Sequence, residues 1–212
     1  MKIIVFGAPG NVGSKIVEEA LSRGHDVTGV ARKEQQLFKL PKTVCAVIGD
    51  AQNTAQVTAL IKGHDLVISA VRPSQGQEQL LVPITLAILQ GAETNKVRSL
   101  IVGGAASLNL PGQAHTVLSA PNFLPDAVKP IAAACFAQHQ AVIDSDNSQW
   151  AYLSPPAMLV DGIRTGKYRV AQDELIYDAD RNSQISMADF AVVLLDEAEQ
   201  PRHHQQRFTA AY

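Results

Sequence analysis

The sequence contains little cysteine and no long apolar run, and each shortage removes a class of protein. Its two cysteines, Cys45 and Cys135, lie far apart and form no Cys-x-x-Cys pair. A disulfide framework or a structural zinc site is therefore not expected. No apolar run approaches the length of a membrane span, and the opening run "KIIVFG" is too short for a signal peptide. We expect a cytoplasmic protein with no metal ion and no membrane partner.

Charge is sparse and nearly balanced. Charged residues make up 18% of the 212 residues, and the formal net charge is −2. Nothing in this balance favours nucleic acid as a partner. Hydrophobic residues make up 46%, enough for one domain over residues 1–212 with a substantial core. We expect a monomer or a homodimer.

Apolar runs alternate with helical patterns along the chain, which is typical of a parallel α/β sheet. The predicted fold class is α/β, a Rossmann-like, doubly wound, mostly parallel sheet with helices on both faces and a small C-terminal substrate region. Its core covers about 1–155 and the smaller elements about 156–212. Six strands are predicted in the core, at 2–7, 26–32, 43–50, 65–71, 97–104 and 149–155. Short strands near "KYRV" and "ELIY", a helix capped by Ser186 and Asp189, and a last strand "QRFTAAY" follow.

Three glycines follow the first predicted strand with the spacing G-x-x-G-x-x-G. Gly7 can form the tight turn, Gly10 leaves room for phosphates, and Gly13 lets the next helix approach the strand. A pyrophosphate would then lie at the helix N-terminus, where the dipole favours anions. The position between a strand and a helix supports this interpretation. The predicted dinucleotide contacts are Gly7, Ala8, Pro9, Gly10, Asn11, Val12 and Gly13.

The end of the second strand bears on the choice of dinucleotide. This position commonly holds an acid that binds the ribose 2′-hydroxyl, but here Arg32 and Lys33 follow the strand. Two cations can pair with a 2′-phosphate, which favours NADP(H) over NAD(H), although NAD(H) stays possible. The alternative is that both are solvated surface cations.

Other strand ends should border the same groove. Asp50 could meet the adenine edge or could instead cap a turn or helix. The remaining predicted cofactor contacts at strand ends are Ala51, Ser69, Ala70, Val71, Gly103, Ser154 and Pro155.

Four stretches together resemble the atypical short-chain dehydrogenase/reductase superfamily, and more narrowly its NmrA-like and NADH-flavin reductase group. They are "GAPGNVGSKIVEEALSRGHDVTGVAR", "VGGAASL", "WAYLSPPAMLVDGIRTGKYRV" and "SQISMADFAVVLLDEAEQPRHHQQRFT". The resemblance implies a Rossmann-like core, bound NAD(P)H and a small C-terminal substrate region, as in biliverdin and flavin reductases of related build. Ala106 departs from the glycine expected at its position.

The Tyr-x-x-x-Lys motif of most such dehydrogenases is missing. None of the four tyrosines precedes a lysine at that spacing, and the comparable helix positions hold Phe136 and Gln140. Carbonyl reduction through a tyrosine proton donor is therefore not expected.

Flavin reduction needs no such donor, because the flavin carries the electronic burden. We predict an NAD(P)H-dependent oxidoreductase that passes hydride to a flavin, as substrate, or to a similar planar small molecule. The apolar segment 104–129 would form one wall. Ser107 and His115 are the catalytic candidates, although either could be an ordinary loop residue, and His139 is assigned to a helix surface. The alternatives are a non-catalytic NADP(H)-binding redox sensor of NmrA type, and an isomerase or dehydratase, for which no carboxylate pair is found.

Overall fold

The computed structural model describes residues 1–212 and contains ten strands and six α-helices. The strands are β1 (Lys2–Phe6), β2 (Asp26–Ala31), β3 (Cys45–Ile48), β4 (Leu66–Ser69), β5 (Arg98–Val102), β6 (Trp150–Ser154), β7 (Met158–Val160), β8 (Arg169–Ala171), β9 (Gln184–Ser186) and β10 (Gln206–Ala211). The helices are α1 (Asn11–Ser22), α2 (Glu34–Leu37), α3 (Thr54–Ile61), α4 (Leu81–Asn95), α5 (Lys129–Ile143) and α6 (Met187–Glu199).

Eight strands form one sheet in the order β3-β2-β1-β4-β5-β6-β10-β8. All neighbours are parallel except β8, which is antiparallel to β10. The chain moves outward from β1 to β3 and then crosses to β4 on the other side of β1. This reversal of direction creates the crevice in which open α/β sheets bind ligands, at the carboxyl ends of the strands. The predicted Rossmann-like sheet is confirmed.

Apolar residues of the central strands are buried on both faces of the sheet. Ile3 and Val5 of β1 pack in the cluster that includes Phe190 of α6. Ile4 and Phe6 pack on the other face in a second cluster with helices α3 and α4. Burial on both faces explains why β1 is an unbroken apolar run rather than an alternating one.

The region after β6 differs in detail from the prediction. Strand β8 is the one expected near "KYRV", but "ELIY" forms no strand, and Glu174 makes only a single bridge with Asn109. Strands β7 and β9, which were not predicted, pair in a small separate sheet. The last strand, β10, returns to the main sheet between β6 and β8.

The long segment 104–129 is a folded cover. The Val117 N–H donates to the Leu108 carbonyl and the Leu110 N–H to the His115 carbonyl, which makes an irregular hairpin. Leu108, Leu110, Val117 and Leu175 form their own buried cluster beneath it. The apolar content of this segment therefore packs against the domain.

The end of β5 packs against a buried tyrosine. A Cβ atom added to Gly103 would lie 2.0 Å from Cζ and 2.2 Å from the hydroxyl oxygen of Tyr152. The Tyr152 hydroxyl donates to Gln138 Oε1 at 3.0 Å, and Gln138 Nε2 donates to Thr85 Oγ1 at 2.9 Å. Because this network holds the ring, only glycine fits at position 103.

We expect Gly103→Ala to destabilise the fold by about 3 kcal/mol, the upper end of the usual cost of overpacking, because the ring cannot move aside. Gly63→Ala is the control, since a Cβ there meets nothing within 4 Å. Placing alanine at the left-handed φ of +83° of Gly63 should lower the free energy of unfolding by only about 1 kcal/mol. Urea denaturation measures the free energy of unfolding of both variants and of the wild type. Equal losses would mean that Tyr152 does not restrict this position.

Asp189 joins the segment before β8 to helix α6. The Ser186 hydroxyl caps α6 as predicted, accepting from the Asp189 N–H at 2.9 Å. The Asp189 carboxylate does not complete the expected capping box. It accepts instead from the backbone and hydroxyl of Thr165, the Gly166 N–H and the Tyr212 hydroxyl, at 2.6–2.8 Å. Four donors to one buried carboxylate make it a structural anchor.

The pKa of Asp189 is lowered overall. Burial alone raises the pKa, but the hydrogen bonds from Thr165, Gly166 and Tyr212 lower it by more than burial raises it. The folded state then binds fewer protons than the unfolded chain near the ordinary value of 3.8. This contribution to stability is therefore complete above that value and is lost as the pH falls through the lower, folded-state value.

Asp189→Asn should lower the free energy of unfolding at pH 7 by about 2–3 kcal/mol, because hydrogen bonds to a charged group contribute about that much. The variant should also lose less further stability than the wild type between pH 5 and about pH 3. Denaturant unfolding across this range measures both effects. Asp161→Asn, at an exposed residue nearby, is the control and should change neither the free energy of unfolding at pH 7 nor its loss at acid pH. If Asp189→Asn lost as much stability at acid pH as the wild type, the role of Asp189 as an anchor would be contradicted.

Candidate functional site

The turn after β1 is so tight that side chains are excluded at two glycines. Gly7 has φ +81°, and a Cβ there would lie 2.5 Å from the Ala70 carbonyl oxygen. A Cβ on Gly13 would lie 2.1 Å from the Gly7 carbonyl oxygen. A Cβ on Gly10 would meet that oxygen at 3.2 Å, a milder conflict. Gly7 and Gly13 are thus needed for packing, whereas Gly10 lies at the exposed mouth of the turn.

Helix α1 begins at this turn without a capping side chain. Gly10 is its N-cap, and no side chain accepts from the first N–H groups of the helix. The first turn also contains no acidic residue. Free N–H groups and the helix dipole together favour an anion at this point. The residues present therefore fit a dinucleotide pyrophosphate. Asn11 and Val12 are at least partly exposed there, whereas Ala8 is buried and packs inward.

The ends of β2 and β3 lie beside this turn. Arg32 and Lys33 are exposed, and neither side chain forms an ion pair. Asp50 is exposed, and its Oδ1 accepts from the Gln52 N–H at 3.0 Å, so part of its carboxylate is used in a turn. Ala51 is buried in the core. Arg32 and Lys33 are thus available to a ligand. For its predicted contact with adenine, Asp50 has one carboxylate oxygen, Oδ2, that accepts no hydrogen bond within the protein.

The ends of β4 and β5 complete the crevice. Ser69 pairs with Phe6 in the ladder and is buried. Ala70 and Val71 follow it and are half-buried, and the Ala70 carbonyl is the group that presses on Gly7. Gly103 is explained by its packing against Tyr152. Of these predicted contacts, Ala70 and Val71 present the most surface to a ligand.

Strands β6 and β10 place four polar side chains on one face of the sheet. Tyr152 pairs with Arg207 and Ser154 pairs with Thr209, and partners in a parallel ladder share a face. His139 of α5 lies over this face, with its ring 4.8 Å from the Tyr152 ring. We call these five residues the polar patch. All five are buried.

Three atoms of the polar patch have no hydrogen-bond partner in the protein: His139 Nδ1, Ser154 Oγ and Thr209 Oγ1. They are the only such buried side-chain atoms in the chain. An unpaired buried polar group costs about 1–3 kcal/mol, and such exceptions often mark a functional site. The polar patch is therefore the best candidate for contact with a reacting ligand. Pro155, next to Ser154, is also buried.

Ser107 lies at the edge of the polar patch. Arg207 Nη1 donates to the Ser107 carbonyl at 2.7 Å and to Ser107 Oγ at 2.8 Å. Arg207 Nε donates to Asp173 Oδ1 at 3.1 Å, and Nη2 bonds to the same oxygen. Ser107 is thus a buried hydroxyl held by a buried cation. Neither Arg207 nor Asp173 was found by sequence reasoning.

The imidazole of His139 is neutral at pH 7. Burial, aided by the positive charge of Arg207, lowers the pKa of His139 to about 4. Its assignment to a helix surface was wrong, because the residue is 6% exposed and faces Tyr152.

The other catalytic candidates are less well placed. His115 is exposed near the tip of the hairpin, and the backbone register sets it opposite Leu110, not Ser107. Gln140 is exposed and Phe136 half-buried, so α5 offers no tyrosine and lysine pair. Burial raises the pKa of Tyr152 far above its ordinary value, so this hydroxyl stays protonated inside its hydrogen-bond network. Ser107 is the better supported of the two predicted catalytic residues.

The structure contains neither a cluster of metal-ligating side chains nor a helix that could span a membrane. No group of three or more His, Cys, Asp or Glu side chains is arranged to hold a metal ion. No helix combines the length and the hydropathy that crossing a bilayer requires.

Comparison with known proteins agrees with this geometry. The model of an NAD(P)H-binding family matches residues 7–201. YwnB, an uncharacterised protein of Bacillus subtilis, is 35% identical, and the match covers 99% of this chain and 97% of YwnB.

Two solved structures are similar over the whole chain. A Streptococcus pneumoniae protein provisionally named an NADH-flavin reductase is 30% identical, with a TM-score of 0.89 over 100% of this chain and 99% of its own. A Bacteroides thetaiotaomicron protein provisionally named an epimerase is 34% identical, with a TM-score of 0.89 over 100% and 96%. The chain therefore belongs to the NAD(P)H-binding family, and its motifs resemble those of the atypical short-chain dehydrogenase/reductase group.

Proposed function

We propose that this protein is an NADPH-dependent oxidoreductase that passes hydride to a flavin or a similar planar acceptor. The observation that carries the proposal is the position of the polar patch and Ser107. Ser154 is the last residue of β6, at the carboxyl ends of the strands, where open α/β sheets bind ligands. The site has no tyrosine that could act as a proton donor. When bound, NADPH supplies the hydride.

The turn after β1 would hold the dinucleotide. Its free N–H groups at the start of α1 suit the pyrophosphate, and Arg32 and Lys33 suit the 2′-phosphate of NADPH. No acidic side chain follows β2 before Glu34, so the 2′-hydroxyl of NADH lacks its usual carboxylate partner. This arrangement favours the phosphorylated cofactor.

The chemistry available near the polar patch suits a planar acceptor. His139 is neutral and buried, and Ser107 can donate a hydrogen bond but is a poor acid. Such a site can orient an acceptor and exclude water without transferring a proton. The apolar cover built from segment 104–129 supplies the water-excluding wall. The name of the Streptococcus pneumoniae relative is consistent with this class of acceptor.

The second candidate is a non-catalytic NADP(H) sensor of NmrA type. It is favoured by the missing Tyr-x-x-x-Lys motif, because a sensor needs the dinucleotide site alone. The name of the Bacteroides thetaiotaomicron relative suggests an epimerase, but no pair of acid and base side chains flanks the polar patch here. Asp173, the nearby carboxylate, is already bonded to Arg207.

The purified protein mixed with NADPH and FMN should oxidise NADPH, followed at its absorbance band. The rate should saturate with FMN and should exceed the rate without protein at least about tenfold, because a positioned pair reacts faster than free reactants. The same assay with a quinone in place of FMN tests whether the protein also reduces planar acceptors other than flavins. Tight NADPH binding, measured by calorimetry, without turnover of any acceptor would favour the sensor.

Arg32→Asp should weaken NADPH binding about tenfold to a hundredfold, because a charge-assisted hydrogen bond contributes about 1.5–3 kcal/mol. NADH binding should change little. Lys62→Asp is the matched control, since Lys62 is an exposed cation beyond the opposite end of the strands. Calorimetric titration with each nucleotide gives the affinities. An equal loss of NADPH and NADH binding would contradict pairing with the 2′-phosphate.

A further inference from the structure

Arg207 is a buried cation in strand β10. Its side chain is 8% exposed, and it connects three separate segments of the chain. On one side it donates to both oxygens of Ser107, and on the other it bonds to Asp173. Burying a cation is costly unless it is paired, so its position demands an explanation.

The contacts of Arg207 determine what the Ser107 hydroxyl can do. Ser107 Oγ accepts from a guanidinium, and its own proton has no acceptor within the protein. A hydroxyl that accepts a charge-assisted bond is polarised and becomes a better donor. Because Arg207 also holds the Ser107 carbonyl, both the backbone and the side chain of this residue are fixed. Ser107 is therefore a fixed hydrogen-bond donor with a free proton.

We propose that Arg207, held by Asp173, is the positioning residue that orients Ser107 Oγ to donate to the acceptor oxygen on which negative charge develops during hydride transfer. This inference rests on the proposed function. It adds a requirement on the acceptor, which must carry a carbonyl conjugated to the atom that receives the hydride, as flavins and quinones do.

The electrons and protons balance without a protein acid. Hydride transfer breaks a C–H bond of the reduced nicotinamide and forms a new bond to hydrogen on the acceptor. The nicotinamide is oxidised, the acceptor is reduced by two electrons, and the negative charge spreads onto its conjugated carbonyl oxygen. Ser107 keeps its proton and stabilises that charge by a hydrogen bond, and solvent later supplies a proton to the acceptor.

The simpler explanation is that Arg207 only fastens the chain together. Asn109 donates its N–H to the Asp173 carbonyl, so segment 104–129 and the segment before β9 already meet at this point. A purely structural Arg207 would affect stability and cofactor binding, and its effect on rate would be independent of the Ser107 hydroxyl. The two explanations therefore differ in how Arg207 and Ser107 act together.

A double-mutant cycle of Ser107→Ala and Arg207→Gln tests this difference in the NADPH and FMN assay. Ser107→Ala should lower kcat about 100-fold with unchanged NADPH affinity, as for loss of a preorganised donor. The variant should stay folded, because Arg207 Nη1 keeps its bond to the carbonyl of residue 107. Arg207→Gln should lower kcat to a similar extent, and the double variant should be no slower than Ser107→Ala. Independent, multiplicative losses would overturn the proposal, as would full activity of Ser107→Ala.

Two further variants keep the test informative if Arg207→Gln unfolds. Arg207→Lys keeps the charge but loses the planar guanidinium, whose Nη1 bonds both oxygens of Ser107 while Nε and Nη2 hold Asp173, so it should lower kcat while retaining the fold. Asp173→Asn, at a half-exposed carboxylate, should lower kcat several-fold with unchanged KM for NADPH. Full kcat in both folded variants would overturn the proposal. A wild type that binds NADPH but reduces no acceptor refutes the proposed function itself, a result distinct from all of these.

Discussion

The backbone between β1 and α1 approaches its neighbours so closely that no side chain fits between them. The Gly7 carbonyl lies under Gly13, and the Ala70 carbonyl lies against Gly7. This contact fixes the start of α1 against the ends of β1 and β4. The N–H groups of the first helical turn therefore point into the crevice at the switch point of the sheet. Cofactor recognition depends on this packing before any charged side chain takes part.

The two faces of the sheet differ in the polarity of the residues that they bury. The face covered by α1 and α6 is almost wholly apolar, with Phe190 and Phe208 at its centre. The face covered by α5 carries the polar patch, which includes the three unpaired buried polar atoms of the chain. Both faces thus bury apolar clusters, and the second face carries in addition polar groups whose desolvation is unfavourable for folding. Such a division is expected where a site has to be preorganised rather than merely stable.

Features that depend on neighbouring residues were predictable from the sequence. The glycine turn, the six core strands and the Ser186 cap follow from local spacing, and the structure contains each of them. Strands β7 and β9 have three residues each, too short for an alternating pattern to be recognised. The partners of Asp189 lie more than 20 residues away, so the expected capping box was only half formed.

The environment of Ser107 was hidden for the same reason. Its partner Arg207 is 100 residues further along the chain. One signal was present: the strand "QRFTAA" contains an arginine beside residues that are buried, and an arginine is seldom buried unless its charge is paired. His139 was misjudged because α5 has apolar residues on most sides, so its sequence does not show which face is buried.

The insertion of β10 between β6 and β8 sets an order on folding. Strands β1 to β6 carry the residues that border the crevice for the dinucleotide, and α6, which packs on this part of the sheet, also precedes β10 in the chain. The hydroxyl of Ser107 obtains its cationic neighbour only when residues 206–211 have joined the sheet. Contacts between residues so distant in sequence form slowly, because a long loop must close first. The newly made chain should therefore acquire affinity for the nucleotide before it acquires the ability to use it.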